Sequence, residues 1–401
     1  MRLLFVSDTY YPHINGVYYF VCRVAPLLQE KGHQVAVIAP SENMHFSKKK
    51  IDNIDVYGVP SFPVLFYPNI RLPIPLFIKR RINRLLKSFN PDIIHIQDHF
   101  IITKAVIEVN KNLGIPIIGT NHFMAENLTS FFHSSKWNKR LESMMWSQFS
   151  KVFNKVSLVT TPTETAALLI RPKLKVEVIA VSSGIDLEKF NPFGNTEKIR
   201  EKYCLPDKPI LLYVGRLDPE KHLEEVIHAV AVAVKKVDLY LVIVGKGIRK
   251  SALERLSKEL GINEKVIFMG FVPEEDLPYF YKVSRCFIIA SIAELLSLAT
   301  LQAMATGLPI IAANAGALSE LVHNKVNGYL FNTGEIDSIV QCICDIFTNS
   351  ELCREMSKKS LEYILKHDIH KTVTSFERIY QSNFPKALGN DITKAEFASS
   401  N

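Results

Sequence analysis

From one end to the other, the chain alternates short apolar runs with longer amphipathic stretches. Residues 2–9 read as a first strand. Asn15-Gly16 then signals a turn, and a helical pattern of about four turns runs to Gln29. Gly32 suits the end of that helix, and Gln34–Ala39 reads as the next strand. PDIIHIQDHF (91–100), GIPIIGTNHF (114–123), SLVTTPTETAALLI (157–170) and VEVIAVSSGIDLEKFNP (176–192) continue the pattern, with linker signals near 182–192. It restarts at PILLYVGRLDPEKHLEEVIHAV (209–230) and repeats at 239–260. KVIFMGFV (265–272), CFIIA (286–290), LPIIAAN (308–314) and GYLF (328–331) add short strands, and Thr348–Phe384 reads as terminal helices.

Strands alternating with helices predict two Rossmann-like α/β domains, each built on a parallel sheet. The expected boundaries are 1–183 and 184–365. A terminal helix over 366–385 packs back on the first domain, and 386–401 is a loose tail. Open α/β sheets bind ligands at strand C-terminal ends, so the site is expected in a cleft between the two domains.

Two stretches depart from the alternation. Residues 61–78, SFPVLFYPNIRLPIPLFI, are rich in Pro and aromatics and show no clean period. The next eleven, KRRINRLLKSF, set Lys79, Arg80, Arg81, Arg84 and Lys87 on one helix with Ile82, Leu85, Leu86 and Phe89. A basic amphipathic helix beside an aromatic loop suits a membrane surface. It equally fits a helix with its apolar side on the sheet and its basic face in water. Phe131–Lys155 is the second stretch. It carries Trp137, Trp146, Lys136, Lys139, Arg140, Lys151 and Lys155, and suits an interface-lying element or core packing.

Charge sharpens this picture. The net charge is +8, but residues 1–183 hold 22 Lys and Arg against 12 Asp and Glu, leaving the rest at −2. All the positive excess lies in the first domain, pointing to anionic lipid headgroups, to nucleic acid or to plain solubility. No RNP, zinc or helix-turn-helix signature supports nucleic acid. No apolar run reaches 18 residues, so no spanning helix is expected, and the N-terminus reads as a buried strand rather than a signal peptide. Six scattered cysteines suit a reduced cytoplasm.

The candidate chemistry centres on Ser291–Gly307. An apolar strand, a polar loop and the helix-forming run Leu298–Ala305 place Glu294 to Ser297 at a helix N-terminus. Unpaired amides and the helix dipole make such an end an anion site. Glu294 stands before this helix and Gln302 two turns inside it, so both are expected to look into one crevice. Arg216 and Lys221 follow the first strand of the second domain, where a fork and a point charge suit a diphosphate. Gly16 would let a ligand approach the backbone. His122, at a strand end, is read as functional and His95 as structural. No Asp-x-Asp follows a strand and no His/Cys cluster occurs, so the two cations could replace a divalent metal. Walker A, HEXXH and G-x-S-x-G patterns are absent, which argues against kinase and hydrolase chemistry.

VGRLDPEK, FMGFVP, SIAELLSLATLQAMATGLPIIAANAGALSELV and NGYLF resemble the donor domain of retaining GT-B glycosyltransferases of family 4. SDTYYPHINGV, KGHQV, PDIIHIQDHF, GTNHF and SSGIDLEKFNP resemble the matching acceptor-domain motifs, so the resemblance runs from residue 2 to about residue 380. It implies a GT-B fold and a nucleotide-sugar donor. Arg216, Lys221 and the amides around Leu296, Ser297 and Leu298 would bind the diphosphate. Glu294 would hold sugar hydroxyls, Gln302 the ribose, and Val272 would touch the base. Gly16 would lie beside the phosphate and His122 beside the transferred sugar. The catalytic set is then His122, Arg216, Lys221 and Glu294, with no metal required and anomeric configuration retained.

Two positions depart from the family pattern. Gln302 stands where Glu is usual and accepts with one oxygen only, a loss on the order of 1–2 kcal/mol in donor binding. Ser297 replaces a common Gly and would crowd the phosphate. The NGV opening and AELLSLATLQAMA resemble the branch that glucosylates diacylglycerol. That resemblance implies UDP-glucose as donor, a glycerolipid acceptor and an anionic membrane surface met by the basic domain at the cytoplasmic face. The alternatives are the same transfer to a soluble, polyprenyl or saccharide acceptor, or a catalytically impaired sugar-nucleotide binder.

Overall fold

Apolar runs bounded by turn residues become strands, because a strand covered on both faces by helices needs apolar side chains on both. The computed structural model describes residues 1–11, 15–64, 67–124 and 135–384, with the backbone alone at 67–70 and 135–139. In the first half β1 (Arg2–Val6), β2 (Gln34–Pro40), β3 (Ser47–Ile51) and β4 (Ile54–Val59) precede a hairpin of β5 (Ser61–Val64) and β6 (Tyr67–Pro73). Then come β7 (Ile93–Ile96), β8 (Ile117–Thr120), β9 (Leu158–Thr161) and β10 (Val178–Ala180). Outside the hairpin they form one sheet in the order β10-β9-β8-β7-β1-β2-β4-β3, parallel except for β3. The second half holds β11 (Ile210–Val214), β12 (Tyr240–Val244), β13 (Val266–Gly270), β14 (Cys286–Ile289), β15 (Ile310–Ala313) and β16 (Gly328–Phe331). These form a parallel sheet in the order β13-β12-β11-β14-β15-β16. Strand order reverses at β1/β7 in one sheet and at β11/β14 in the other, and a ligand crevice opens at the carboxyl ends of such switch points.

The helices of the first half are α1 (Gly16–Glu30), α2 (Ile78–Phe89), α3 (Ile101–Asn110), α4 (Ser135–Phe153) and α5 (Glu164–Ile170). Those of the second are α6 (Glu197–Lys202), α7 (Leu223–Ala233), α8 (Lys250–Glu259), α9 (Leu277–Lys282), α10 (Leu298–Ala305), α11 (Leu318–Leu321), α12 (Ile336–Thr348) and α13 (Ser350–Ile364). Asn15 caps α1 by accepting from the Tyr18 amide at 3.0 Å. The α1 face of Val17, Phe20, Val21, Val24 and Leu28 is buried.

Two local readings change, and one open choice is decided. The first strand stops at Val6, because Ser7 turns the chain by donating its hydroxyl to Thr9 O at 2.7 Å. Ser61–Val64 and Tyr67–Pro73 pair antiparallel as β5 and β6 rather than lying as an irregular loop. On α2, Ile78, Ile82 and Leu86 are buried at a spacing of four while Lys79, Arg80, Arg81, Arg84 and Lys87 face solvent. Its apolar side therefore lies on the domain and its cations in water. On α4, Phe149 is buried, Trp146 is half-buried against the core and Met144 is exposed. The start of that stretch, 131–134, and the side chains of Lys136, Trp137 and Lys139 lie outside the described residues, as does the 386–401 tail.

The chain passes between the halves twice, and the passages meet. The Ile185 amide donates to His367 O at 2.8 Å and the Ile369 amide to Ile185 O at 3.0 Å. Gly184 has φ +72°, and a Cβ there would sit 2.8 Å from the Ile369 Cα, so the junction needs glycine. Beyond it α14 (Ile369–Asn383) returns to the first half, where Val373, Phe376, Ile379 and Tyr380 join the core of Phe20, Val21 and Val24.

Candidate active site

After β11 the chain turns at Gly215 into a loop and a single tight turn, Pro219–Lys221. This loop leans on the one after β14, where the Ile292 amide donates to Glu220 O at 3.3 Å. Lys221 Nζ reaches across to Glu294 Oε1 at 2.7 Å and Ser291 Oγ at 3.2 Å. Both charged groups are mostly buried, so each is the other's compensation. Arg216 is the more exposed cation. Its guanidinium donates to Asp218 and, at 2.6 Å, to Glu220 Oε1. The two cations thus sit on one loop, Arg216 held by carboxylates of that loop and Lys221 by one from its neighbour.

Ser297 is the N-cap of α10, and its Oγ accepts from the Thr300 amide at 3.2 Å and the Thr300 hydroxyl at 2.8 Å. The side chain is buried, so the expected crowding of the phosphate is corrected: the hydroxyl is turned into its own helix. The amides from Leu296 to Ala299 have no partner among the described residues, leaving donors for an anion. Gln302 is also corrected. It does not share an open crevice with Glu294, because it is buried and its Oε1 accepts from the Tyr281 hydroxyl at 2.8 Å. What it keeps for a ligand is its amide N–H₂. The Val272 side chain belongs to the core, which leaves its main chain to meet a ligand.

The first half presents neutral groups. His122 Nε2 and Gln97 Oε1 are 3.0 Å apart, so the imidazole donates from Nε2 and its Nδ1 is left to accept. Burial pulls the His122 pKa down to about 4, so it is uncharged at neutral pH. His95 is buried between the Tyr380 hydroxyl (2.7 Å) and Thr120 Oγ1 (2.6 Å), with its pKa drawn down to about 3 by burial and then by His122. That is a structural histidine. Asp8 and Asp98 follow the ends of the adjacent strands β1 and β7, and the Asp8 amide donates to Asp98 Oδ2. Asp8 accepts from the Ile102 (2.7 Å) and Thr103 (3.1 Å) amides and so caps α3 from another strand, and burial pushes its carboxyl well up. Gly16 opens α1, with free space where a Cβ would stand.

Residues 195–363 match the family model described as Glycosyl transferases group 1, and residues 14–189 match Glycosyltransferase Family 4. The chain is a glycosyltransferase. The α-monoglucosyldiacylglycerol synthase of Streptococcus pneumoniae is 27% identical to it over 405 residues, covering 99% of this chain and 90% of that protein. A GDP-mannose-dependent α-mannosyltransferase of Mycobacterium tuberculosis is 27% identical over 346 residues, covering 84% and 85%. The fold of this glycosyltransferase matches that of sucrose-phosphate synthase from Thermosynechococcus elongatus with a TM-score of 0.78 at 17% identity, over 95% of this chain and 99% of that one. The architecture is GT-B: two Rossmann-like domains.

Sequence reasoning found Lys221 and Glu294 because each sits in a contiguous motif. It missed Ser291 as the second partner of Lys221, the pairing of Gln97 with His122, and Tyr281 on Gln302. Such contacts join residues far apart in the chain, and only Ser291, lying inside the motif, had a local signal.

Proposed function

We propose that this glycosyltransferase moves glucose from UDP-glucose to a membrane glycerolipid such as diacylglycerol, retaining anomeric configuration and requiring no metal. One observation carries the acceptor. Leu76 and Phe77, 63% and 68% exposed, stand at the head of α2 beside the solvent-facing Lys79, Arg80, Arg81, Arg84 and Lys87. Exposed Phe62 and Leu72 on the adjoining hairpin extend the apolar tip. Apolar residues that enter a lipid layer next to cations that meet anionic headgroups suit peripheral binding at the inner membrane face. Among the described residues no helix is long and apolar enough to cross a membrane.

On this reading Arg216, Lys221 and the amides of Leu296, Ser297 and Leu298 hold the diphosphate. Binding then exchanges the carboxylate partners of the two cations for phosphate oxygens and frees Glu294 for sugar hydroxyls. Gln302 donates to the ribose, the Val272 main chain meets the base, and the Gly16 backbone lies near the phosphate. The lipid hydroxyl oxygen attacks the anomeric carbon from the face the diphosphate leaves. The carbon–oxygen bond to the β-phosphate breaks with its electron pair on the diphosphate, which also takes the hydroxyl proton. Fixed cations and helix amides offset the charge as it grows. His122, neutral, lies beside the sugar.

The test supplies radiolabelled UDP-glucose, and GDP-mannose in parallel, with diacylglycerol in anionic vesicles. Labelled glucosyl-diacylglycerol and salt-sensitive vesicle binding are expected. Transfer to a soluble acceptor alone, without such binding, would favour the soluble reading. No turnover by either the native protein or Gln302→Glu would favour a binding protein.

A further inference from the structure

The start of α5, in the first half, touches the second half at two points separate from the chain crossovers. Thr163 is 1% exposed and does two jobs. Its Oγ1 accepts from the Ala166 amide at 3.1 Å, capping α5, and donates to Leu295 O at 2.8 Å. Glu320 on α11 accepts from the amides of Glu164 at 3.2 Å and Thr165 at 2.9 Å, and from the Thr165 hydroxyl at 3.0 Å. A carboxylate of one domain therefore completes the N-terminus of a helix in the other.

Both contacts lead to the loop that carries Glu294. Leu295 lies between Glu294 and the free amides of Leu296–Leu298. The Ala317 amide, just before α11, donates to Glu294 O at 3.1 Å, and a Cβ on Gly316 would sit 2.9 Å from that same oxygen. The other end of the chain of contacts leads to His122. Thr160 is three residues before Thr163. Its Oγ1 is 2.6 Å from the Thr120 hydroxyl, and its carbonyl accepts from the Asn121 amide at 2.8 Å. An unbroken series of hydrogen-bonded and covalent links thus runs from the His122 strand end through Thr160 and Thr163 to the donor loop.

We propose that Thr163 and Glu320 are positioning residues. They clamp the donor loop to the first half and set the distance between the diphosphate-holding groups and the His122 strand end. Neither reaches substrate. Both act through Leu295 and α11. The proposal rests on the reading of the 294–298 loop as the donor loop. Donor binding is assembled within the second half and survives loss of the clamp. Transfer needs both halves in register, where a misplacement of about 1 Å can lower the rate about 10²-fold.

The experiment compares Glu320→Ala, Thr163→Val and Thr163→Ser in the full chain. Hydrogen exchange reads the clamp without any ligand. In Glu320→Ala the Glu164 and Thr165 amides should exchange about tenfold faster or more, with the Ala167 amide unchanged. With UDP-glucose, kcat should fall about tenfold or more in Glu320→Ala and Thr163→Val, while the calorimetric Kd for UDP stays within about twofold and Thr163→Ser behaves as native. A purely structural role would lower the melting temperature and leave kcat of the folded protein unchanged, and that result overturns the proposal. So does a Kd that rises in step with the loss of kcat. If native protein does not bind UDP or use UDP-glucose, the donor assignment fails, and exchange alone decides the clamp: native-like exchange in Glu320→Ala overturns it.

Discussion

The two sheets end in polar crevices built on opposite principles. At the first, the groups are neutral and satisfy one another: His95 lies between Tyr380 and Thr120, and His122 beside Gln97. At the second they are charged and held in pairs: Lys221 with Glu294, and Arg216 with Glu220. On the proposed function the difference follows from what each must meet. A site for a charged diphosphate keeps cations with exchangeable partners. A site for hydroxyl groups is served by buried imidazoles that burial keeps uncharged. Pairing within the charged site also avoids leaving a lone ion half-buried.

The sharpest way to break this contrast is Lys221→Ala. It removes one fixed cation and leaves Glu294 unpaired, so kcat/KM for transfer should drop about 10²–10³-fold. A loss of less than about threefold would place the leaving-group charge elsewhere.

Acid comes next, and should strike the first half. Burial lowers His99 and His122, and His367 at the crossover, to about 4, and His95 to about 3, from an ordinary 6.5. The unfolded chain therefore binds more protons than the folded one below pH 6.5, and stability falls as pH drops from 6.5 towards about 4. Asp8, raised by burial, works the other way over part of that window. Unfolding free energies from urea titrations at pH 7 and pH 4.5 should differ by several kcal/mol, with amides of β7 and β8 losing protection before those of β11 and β14.

The third test concerns the surface of the basic half. Replacing Arg80 and Arg81 together by Ala should weaken binding to phosphatidylglycerol vesicles by about 2 kcal/mol, roughly 30-fold, in a co-sedimentation assay. Transfer to a soluble acceptor should not change.

The smallest effect belongs to Gln302→Glu. A carboxylate can keep the Tyr281 hydroxyl but removes the N–H₂ that donates to the ribose, so UDP should bind weaker by about 1 kcal/mol in calorimetry. Tighter binding would mean that the ribose hydroxyls donate to this position and the amide N–H₂ is not the group in use.

Most of both sheets was legible in the chain because those strands are buried on two faces and read as apolar runs, whereas β3, with Lys48, Lys49 and Lys50 exposed, and its neighbour β4 were not read. The start of α10 was legible too, since a strand, a loop and a helix start lie within twenty residues of sequence. Ser297 was misjudged because a hydroxyl at an N-cap satisfies its own helix, a direction that residue type alone does not specify. Gln302 was misjudged because Tyr281, which occupies its oxygen, sits on another helix. On α2 the pattern was right about the two faces, yet it could not say that the preceding Pro-rich stretch pairs with itself. Thr163 with Leu295 spans 132 positions and leaves no periodic trace.

The return of α14 to the first sheet has a consequence for how the molecule is made. Phe376 and Tyr380 fill the interior behind β7, so the lobe that leaves the ribosome first is completed last. A nascent chain ending before residue 369 holds His95 without its Tyr380 partner and exposes the apolar groove that the final helix will cover. Translation must reach nearly the last turn of that helix before the lobe built around β1 is whole.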